Sequence, residues 1–273
     1  MEMNTLTQHT LQTADGNLAY YTAGSGNVVV LLHGFGEDHR IWNQQVPLLV
    51  ARGYRVLLPD FPGSGASPLP QNTRISIEWL AQQVHALLQH EQIGPCVLLG
   101  HSMGGYVTLA FAEQWPEQLK GFGLIHSTAF ADSEEKKAAR RKSIAFIQEN
   151  GTEAFLQATL PNLFGTRFQQ QHPEAIQQLL QWGAAFKPEA LIGYYEAMLQ
   201  RPDRSAVLQQ AKVPVLFFIG AEDKAVPPAD AVLQSSYPEV AVVKKVEHIA
   251  HMGMWEAPDA LNQLLLQYLQ LVG

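Results

Sequence analysis

The chain has 273 residues, of which 47% are apolar and only 16% charged, enough material for one large hydrophobic core or two small ones. That composition excludes intrinsic disorder, collagen and coiled coil. With 18 Lys and Arg against 25 Asp and Glu, the net charge of -7 would repel a polyphosphate backbone, so no nucleic acid is expected as a partner.

The single cysteine, Cys96, sits in the apolar run Cys96-Val97-Leu98-Leu99. Neither an internal disulfide nor a thiolate metal cluster can form, which suits a reducing compartment. The opening Met1-Glu2-Met3-Asn4-Thr5 lacks the basic and apolar segments of a secretory signal. The longest apolar runs, such as Val28 to Leu32 and Val215 to Ile219, fall far short of the roughly 18 residues a membrane span needs. The expectation is a soluble, cytoplasmic protein with no membrane span.

In chain order, Leu6–Thr13, the turn dipeptide Asp15-Gly16 and Asn17–Thr22 predict an antiparallel hairpin. Short apolar runs follow at Val28–Leu32, Arg55–Leu58, Cys96–Leu99, Phe122–Ile125, Val213–Ile219 and Val240–Val246, continuous instead of alternating, as strands buried on both faces require. Helical patterns fill the gaps at Ile41–Arg52, Ile77–Gln92, Met103–Trp115 and Pro258–Leu271. The expected fold class is α/β, an eight-stranded, mostly parallel sheet flanked by helices.

The stretch between Ile125 and Val213, roughly 90 residues, is too long for a single crossover and carries helical patterns at Ser133–Asn150, Thr152–Leu160, Pro173–Phe186 and Pro188–Leu199. We therefore expect a helical cap at 127–204 inserted into a core of 1–126 and 205–273, one structural unit without an independent linker. Within the cap, Glu134-Glu135-Lys136-Lys137 followed by Arg140-Arg141-Lys142 is expected to be a solvated helix start, acids first and bases later as the helix dipole favours.

Directly after the strand Cys96–Leu99 comes Gly100-His101-Ser102-Met103-Gly104-Gly105, and then a helical run. This is G-x-S-x-G between strand and helix, where a serine occupies a strained turn and only small neighbours avoid a clash. A serine hydroxyl needs a base and an acid that orients the base. The loop after Val213–Ile219 carries Glu222 and Asp223, and the loop after Val240–Val246 carries His248 and His251. Loops leaving the C-terminal ends of parallel strands converge on one edge of the sheet. Zinc at His248 and His251 is disfavoured, because H-E-x-x-H, cysteine partners and a third clustered ligand are all missing.

On these residues the chain resembles the α/β-hydrolase superfamily, in its esterase- and lipase-like branch of serine hydrolases with a helical cap. His33-Gly34-Phe35-Gly36 matches that family's oxyanion loop, and Asp60-Phe61-Pro62-Gly63-Ser64-Gly65-Ala66-Ser67 its D-x-x-G-x-G-x-S turn. Gly220-x-x-Asp223-x-x-x-Pro227 and His251-x-x-x-x-Glu256-x-Pro258 match its acid and histidine loops, with Ala250 standing where many members have glycine. The resemblance implies Ser102 as nucleophile, His251 as base in preference to His248, and Asp223 as the orienting acid in preference to Glu222. It implies the backbone N–H groups of Phe35 and Met103 as oxyanion donors, their side chains being free to line a pocket.

His33 and His101 are expected to brace their loops, and Asp60 to stabilise its turn. His126 and the remaining histidines have no recognisable partner. Aromatic residues including Phe35, Trp42, Phe155, Phe164, Tyr194 and Tyr195 predict a mostly apolar crevice for a small molecule with an acyl or alkyl group. The implied activity is hydrolysis of a carboxylic ester, lactone or thioester with no cofactor and no metal. C–C bond hydrolysis, acyl transfer, perhydrolysis or a non-catalytic binding module are the alternatives on the same fold.

Overall fold

A computed structural model of the protein describes residues 6–13, 15–71 and 73–273, so the opening five residues read above for a signal lie outside the described residues. The strands are β1 (Thr7–Thr13), β2 (Gly16–Ala23), β3 (Val28–Leu32), β4 (Arg55–Pro59), β5 (Cys96–His101), β6 (Leu119–Ile125), β7 (Val215–Gly220) and β8 (Ala241–Val246). They form one eight-stranded sheet in the order β1-β2-β4-β3-β5-β6-β7-β8. The β1/β2 and β2/β4 pairs are antiparallel, and every other pair is parallel. Every residue of β5 and β7 is buried, which explains why these strands read as unbroken apolar runs.

From β3 the chain steps to β4 on one side and to β5 on the other. The C-terminal ends of β3 and β5 therefore flank a point where the winding reverses, the position at which open α/β sheets leave a crevice. The loops after these two strands carry His33 to Gly36 and Ser102.

The helices outside the long β6–β7 segment are α1 (Val46–Ala51), α2 (Ile77–His90) and α3 (Met103–Gln114), with three more described below. In α2 the Ser76 hydroxyl accepts from the Trp79 N–H at 3.0 Å, and Ile77, Leu80, Ala81, Val84, Leu87 and Leu88 form its buried stripe. Between β6 and β7 lie α4 (Glu134–Thr159), a 3-10 turn (Leu160–Leu163), α5 (Thr166–Gln171), α6 (Pro173–Gly183), α7 (Pro188–Gln200) and α8 (Ser205–Gln209). Gly151, at φ 80 and ψ 172, interrupts α4 at the junction where the sequence predicts two separate helices. The chain closes through α9 (Pro228–Gln234), α10 (Gly253–Glu256) and α11 (Pro258–Val272).

The predicted helix Ile41–Arg52 is instead a 3-10 turn, His39–Trp42, followed by α1. Asp38 caps the turn by accepting from the Arg40 N–H at 3.0 Å, and Pro47, lacking an N–H, opens a new helix instead of continuing the old one. β8, expected to be buried, is an edge strand with Val243, Lys244 and Lys245 exposed, and lysines on an edge discourage pairing with another chain. The short helices α5, α8 and α9 were not anticipated, being too brief to establish a 3.6-residue period. No helix among the described residues is long and apolar enough to cross a membrane, and Cys96 is buried and unbridged.

The last helix is fastened to the sheet by Tyr268, whose hydroxyl lies 2.9 Å from the Phe122 carbonyl and 2.6 Å from the Pro214 carbonyl and shares its one proton between them. Tyr268→Phe removes this donor and is expected to lower stability by about 0.5–1.5 kcal/mol. Urea unfolding reads this as an earlier midpoint at unchanged slope; a midpoint equal to that of the parent protein would contradict the assignment.

Candidate active site

Ser102 stands alone between β5 and α3 with φ 51 and ψ -114, a left-handed conformation that costs a non-glycine residue on the order of 1–3 kcal/mol. Its N–H donates to the Ile125 carbonyl at 3.0 Å, and the Ser127 hydroxyl donates to the Ser102 carbonyl at 2.7 Å. Close approach explains the flanking glycines. A Cβ on Gly100 would lie 2.2 Å from the Gly104 backbone, and one on Gly104 would lie 2.6 Å from the carbonyl oxygens of Leu32 and His33. The start of α3 is thereby pressed against the end of β3, with its N-terminal partial positive charge beside Ser102.

The loop after β3 is braced from within. The Phe61 N–H donates to His33 Nε2 at 2.9 Å, so His33 carries its proton on Nδ1 and donates it to the Gly34 carbonyl at 2.8 Å. Burial holds the pKa of this ring below its ordinary value, in keeping with a neutral imidazole. Asp60 holds its turn as expected, Oδ1 accepting from the N–H (2.9 Å) and Nδ1 (2.8 Å) of His39 and Oδ2 from the Ala66 N–H (2.9 Å).

Asp223, in the loop after β7, is surrounded by donors. Oδ1 accepts from the N–H groups of Ala225 (2.8 Å) and Val226 (2.9 Å), and Oδ2 from Nδ1 of His251 (2.8 Å) and Nδ1 of His126 (3.1 Å). The Gly253 N–H donates to His126 Nε2 at 3.1 Å, so the His126 proton resides on Nδ1, facing the carboxylate. Burial opposes the charge on Asp223, yet His251 and His126 hold its carboxyl well below the usual carboxylate range. For His251 burial disfavours the charged ring, but the Asp223 carboxylate outweighs it and the pKa is raised above 6.5. For His126 burial prevails and carries the pKa down to about 4. The arrangement is therefore a carboxylate anion, a neutral His126, and a His251 whose Nδ1 is engaged, leaving Nε2 for a reacting group.

The competing residues of the same loops lie apart. The His248 side chain is 74% exposed with Nδ1 3.6 Å from Glu222 Oε1, a surface pair beside the buried one. Glu256, which served only as a spacing marker in the sequence, brackets the histidine by accepting from the N–H of Ala250 (3.1 Å), Met252 (3.0 Å) and Gly165 (2.8 Å). The His251 N–H donates to the Leu163 carbonyl at 2.9 Å.

Ser102 and His251 line one cavity of about 140 Å³ together with Phe35, Glu37, Tyr106, Arg140, Leu163, Tyr195, Met198, Ala225 and Val226. No hydrogen bond joins the Ser102 hydroxyl to the His251 ring among the described residues, so the structure unites Asp223 with His251 directly and Ser102 with His251 only across this space. Phe35 lines the cavity as expected and packs on Tyr195 at 4.3 Å between ring centroids. Met103 differs from expectation, because its side chain is fully buried and is not part of the lining. The start of α3 points that side chain into the core, leaving only its backbone beside Ser102.

Sequence reasoning missed a second buried assembly. Glu37 accepts from the Gly34 N–H at 2.7 Å and from His101 Nδ1 at 2.9 Å, while His101 Nε2 donates to the His251 carbonyl at 2.9 Å. Burial opposes the charge on Glu37, but His101 and the Gly34 N–H hold its carboxyl below its ordinary value. Three loops are thus tied through one ion pair whose side chains are 1% exposed or less. Nothing in the sequence marked Glu37, since its partner lies 64 residues away.

The polar atoms of His126, Asp223 and His251 lie within 4.8 Å of one another, as do those of Asp38, His39 and Asp60. In the first group each Nδ1 is already directed at Asp223, and in the second Asp38 is engaged by Arg40 and Asp60 by backbone N–H groups. Both sets are built as hydrogen-bond networks, with their donor protons between the atoms that would chelate an ion.

Removing one member of the Glu37–His101 pair leaves the other buried without its counter-charge. The variant Glu37→Leu is expected to lose about 3–5 kcal/mol of folding stability, and Glu37→Gln less. Chemical unfolding of the two variants checks this, and equal midpoints for Glu37→Leu and the parent would refute the pair's structural weight.

A profile of the alpha/beta hydrolase family matches residues 29–264. The chain is 33% identical over 233 residues to the pimeloyl-[acyl-carrier protein] methyl ester esterase of Aeromonas hydrophila, a match covering 82% of this chain and 89% of that protein. It is 27% identical over 271 residues to the 2-hydroxy-6-oxononadienedioate/2-hydroxy-6-oxononatrienedioate hydrolase of Escherichia coli, covering 90% of this chain and 88% of that one. Among solved structures, a thermophilic esterase from Thermogutta terrifontis superposes with a TM-score of 0.89 at 27% identity, covering 98% of this chain and 99% of that one. The family match runs from β3 to α11 and includes Ser102 and the loops of Asp223 and His251, and the chain belongs to the alpha/beta hydrolase family of enzymes.

Proposed function

We propose that Ser102, His251 and Asp223 form a catalytic triad that hydrolyses a carboxylic ester, lactone or thioester of a small molecule through an acyl-enzyme. The observation that carries this proposal is the 2.8 Å bond from His251 Nδ1 to the buried Asp223, which fixes the ring tautomer and leaves Nε2 as acceptor on the cavity that Ser102 lines. Ser102 and His251 face the same cavity, and hydrogen bonds between catalytic groups commonly tighten only when substrate arrives.

In the reaction Ser102 Oγ attacks the carbonyl carbon while its proton passes to His251 Nε2. The N–H groups of Phe35 and Met103 hold the developing oxyanion, and Asp223 stabilises the imidazolium. The leaving alcohol or thiol takes the proton from His251. Water then attacks the acyl-enzyme, giving its proton to the same nitrogen, which passes it to Ser102 Oγ as the acid departs and so restores both groups.

The segment 127–204 serves in this reading as a cap on a core of 1–126 and 205–273. Support comes from the cap residues Arg140, Leu163, Tyr195 and Met198 in the cavity lining and from the bonds of Leu163 and Gly165 to the histidine loop. The buried, unbridged Cys96 suits a cytoplasmic setting. A second reading, cleavage of a C–C bond beside a carbonyl, is favoured by the Escherichia coli relative named for a dienedioate and uses the same groups.

A fluorophosphonate is expected to label the parent protein once, at Ser102, and to leave Ser102→Ala unlabelled, with ester turnover falling roughly 10⁴-fold or more. Labelling that persists in Ser102→Ala would overturn the assignment. Assay of a matched ester and a dienedioate separates the two readings by which bond is cut.

The pH profile follows from the sign of the His251 shift. The base works only when the ring is neutral, and its pKa lies above 6.5, so kcat/KM rises with pH through an inflection alkaline of that value. In Asp223→Asn the carboxylate is gone and the inflection moves to lower pH along with a large loss of rate. An inflection below 6.5 in the parent enzyme would contradict the Asp223–His251 coupling.

A further inference from the structure

The charge run at the start of α4 is not uniformly solvated. Arg140 leaves the outer face: its side chain is only 18% exposed and lines the cavity of Ser102 and His251. Asp132, just ahead of α4 and 1% exposed, accepts from Arg140 Nε at 2.5 Å and from Nη2 at 3.3 Å. The same carboxylate is 2.9 Å from Arg201 Nη1.

Arg201 is further engaged by the carbonyls of Met198 (3.0 Å) and Phe130 (2.9 Å), to which it donates, and lies 3.9 Å above the Tyr106 ring. One carboxylate thus serves two guanidinium groups, and the cluster retains a positive charge. Glu37, the acid in the cavity wall, is committed to His101 and Gly34. The excess charge is therefore displayed at Arg140, beside Ser102.

A guanidinium has more than one edge that can grip a carboxylate. In Arg140 the Nε/Nη2 edge is filled by Asp132, whereas Nη1 has no partner among the described residues, so the Nη1/Nη2 edge is available. The rest of the wall is largely apolar, with Phe35, Leu163, Met198 and Val226, and the volume of about 140 Å³ admits only a small group.

We propose that Arg140 binds a free carboxylate on the substrate, so that the preferred substrates are small esters bearing a second, unesterified carboxyl group. The proposal rests on the hydrolase reading above and names the substrate class of that site.

The test compares charged and neutral esters of matched length on the full chain. In one arm the carboxylate lies on the acyl part, monomethyl glutarate against methyl pentanoate; in the other it lies on the alcohol part, 3-acetoxypropanoate against butyl acetate. In at least one arm the parent enzyme is expected to favour the charged ester roughly 10- to 100-fold in kcat/KM. That ratio should fall to near unity in Arg140→Gln and be intermediate in Arg140→Lys, whose ammonium lacks the planar fork.

Ratios near unity in both arms for the parent, or a ratio unchanged in Arg140→Gln, would overturn the proposal while leaving ester hydrolysis intact. Should Arg140→Gln fail to fold, competition in the parent decides: glutarate is expected to inhibit turnover of methyl pentanoate far better than the neutral diamide glutaramide does, and equal inhibition overturns the proposal. If no ester at all is turned over, the hydrolase reading falls. Calorimetric binding of glutarate by the parent, absent for glutaramide, then supports the Arg140 site, and its absence overturns it.

Discussion

The buried carboxylate of Asp223 is the constraint around which the candidate site is organised. An anion in that position is tolerated because four donors surround it, two backbone N–H groups of its own loop and two imidazole nitrogens from the loops after β6 and β8. The two rings experience the same carboxylate differently. His126 is locked neutral by burial and by the Gly253 N–H on its far nitrogen, whereas His251 keeps its second nitrogen uncommitted. A network of this kind commits both nitrogens of one histidine and leaves one nitrogen of the other uncommitted.

The Glu37–His101 pair supplies the second fixed point. It joins the loop after β3, the end of β5 and the carbonyl of His251, so the three segments that meet around the cavity are referenced to one another through short hydrogen bonds. Glu256 repeats the device from the other side, gripping the N–H groups on either side of His251 and reaching Gly165 in the β6–β7 segment. The strained backbone of Ser102 survives between these supports because Ile125 and Ser127 hold it and the adjacent glycines let α3 approach β3.

Much of this was legible in sequence wherever a local pattern carried it. Continuous apolar runs marked the central strands because burial on both faces demands them, and the G-x-S-x-G turn marked Ser102 because sterics demand small residues there. Local patterns failed where tertiary contact decides. Ile41–Arg52 looked helical, yet Pro47 and the Asp38 cap divide it. β8 looked buried, but only its place at the sheet edge determines its exposure. His126 and Glu37 carried no signal because their partners lie 97 and 64 residues away, and Arg140 was indistinguishable in sequence from the solvated Arg141 beside it.

The central claim is that Ser102, His251 and Asp223 act on one carbonyl carbon between two backbone donors. A crystal structure of the protein after reaction with an alkyl phosphonate tests it most directly. The account predicts phosphorus bonded to Ser102 Oγ, its phosphoryl oxygen accepting from the N–H groups of Phe35 and Met103, and His251 Nε2 within hydrogen-bonding reach while Nδ1 remains on Asp223. An adduct on another residue, or a phosphoryl oxygen turned away from those N–H groups with His251 detached from Asp223, would contradict it.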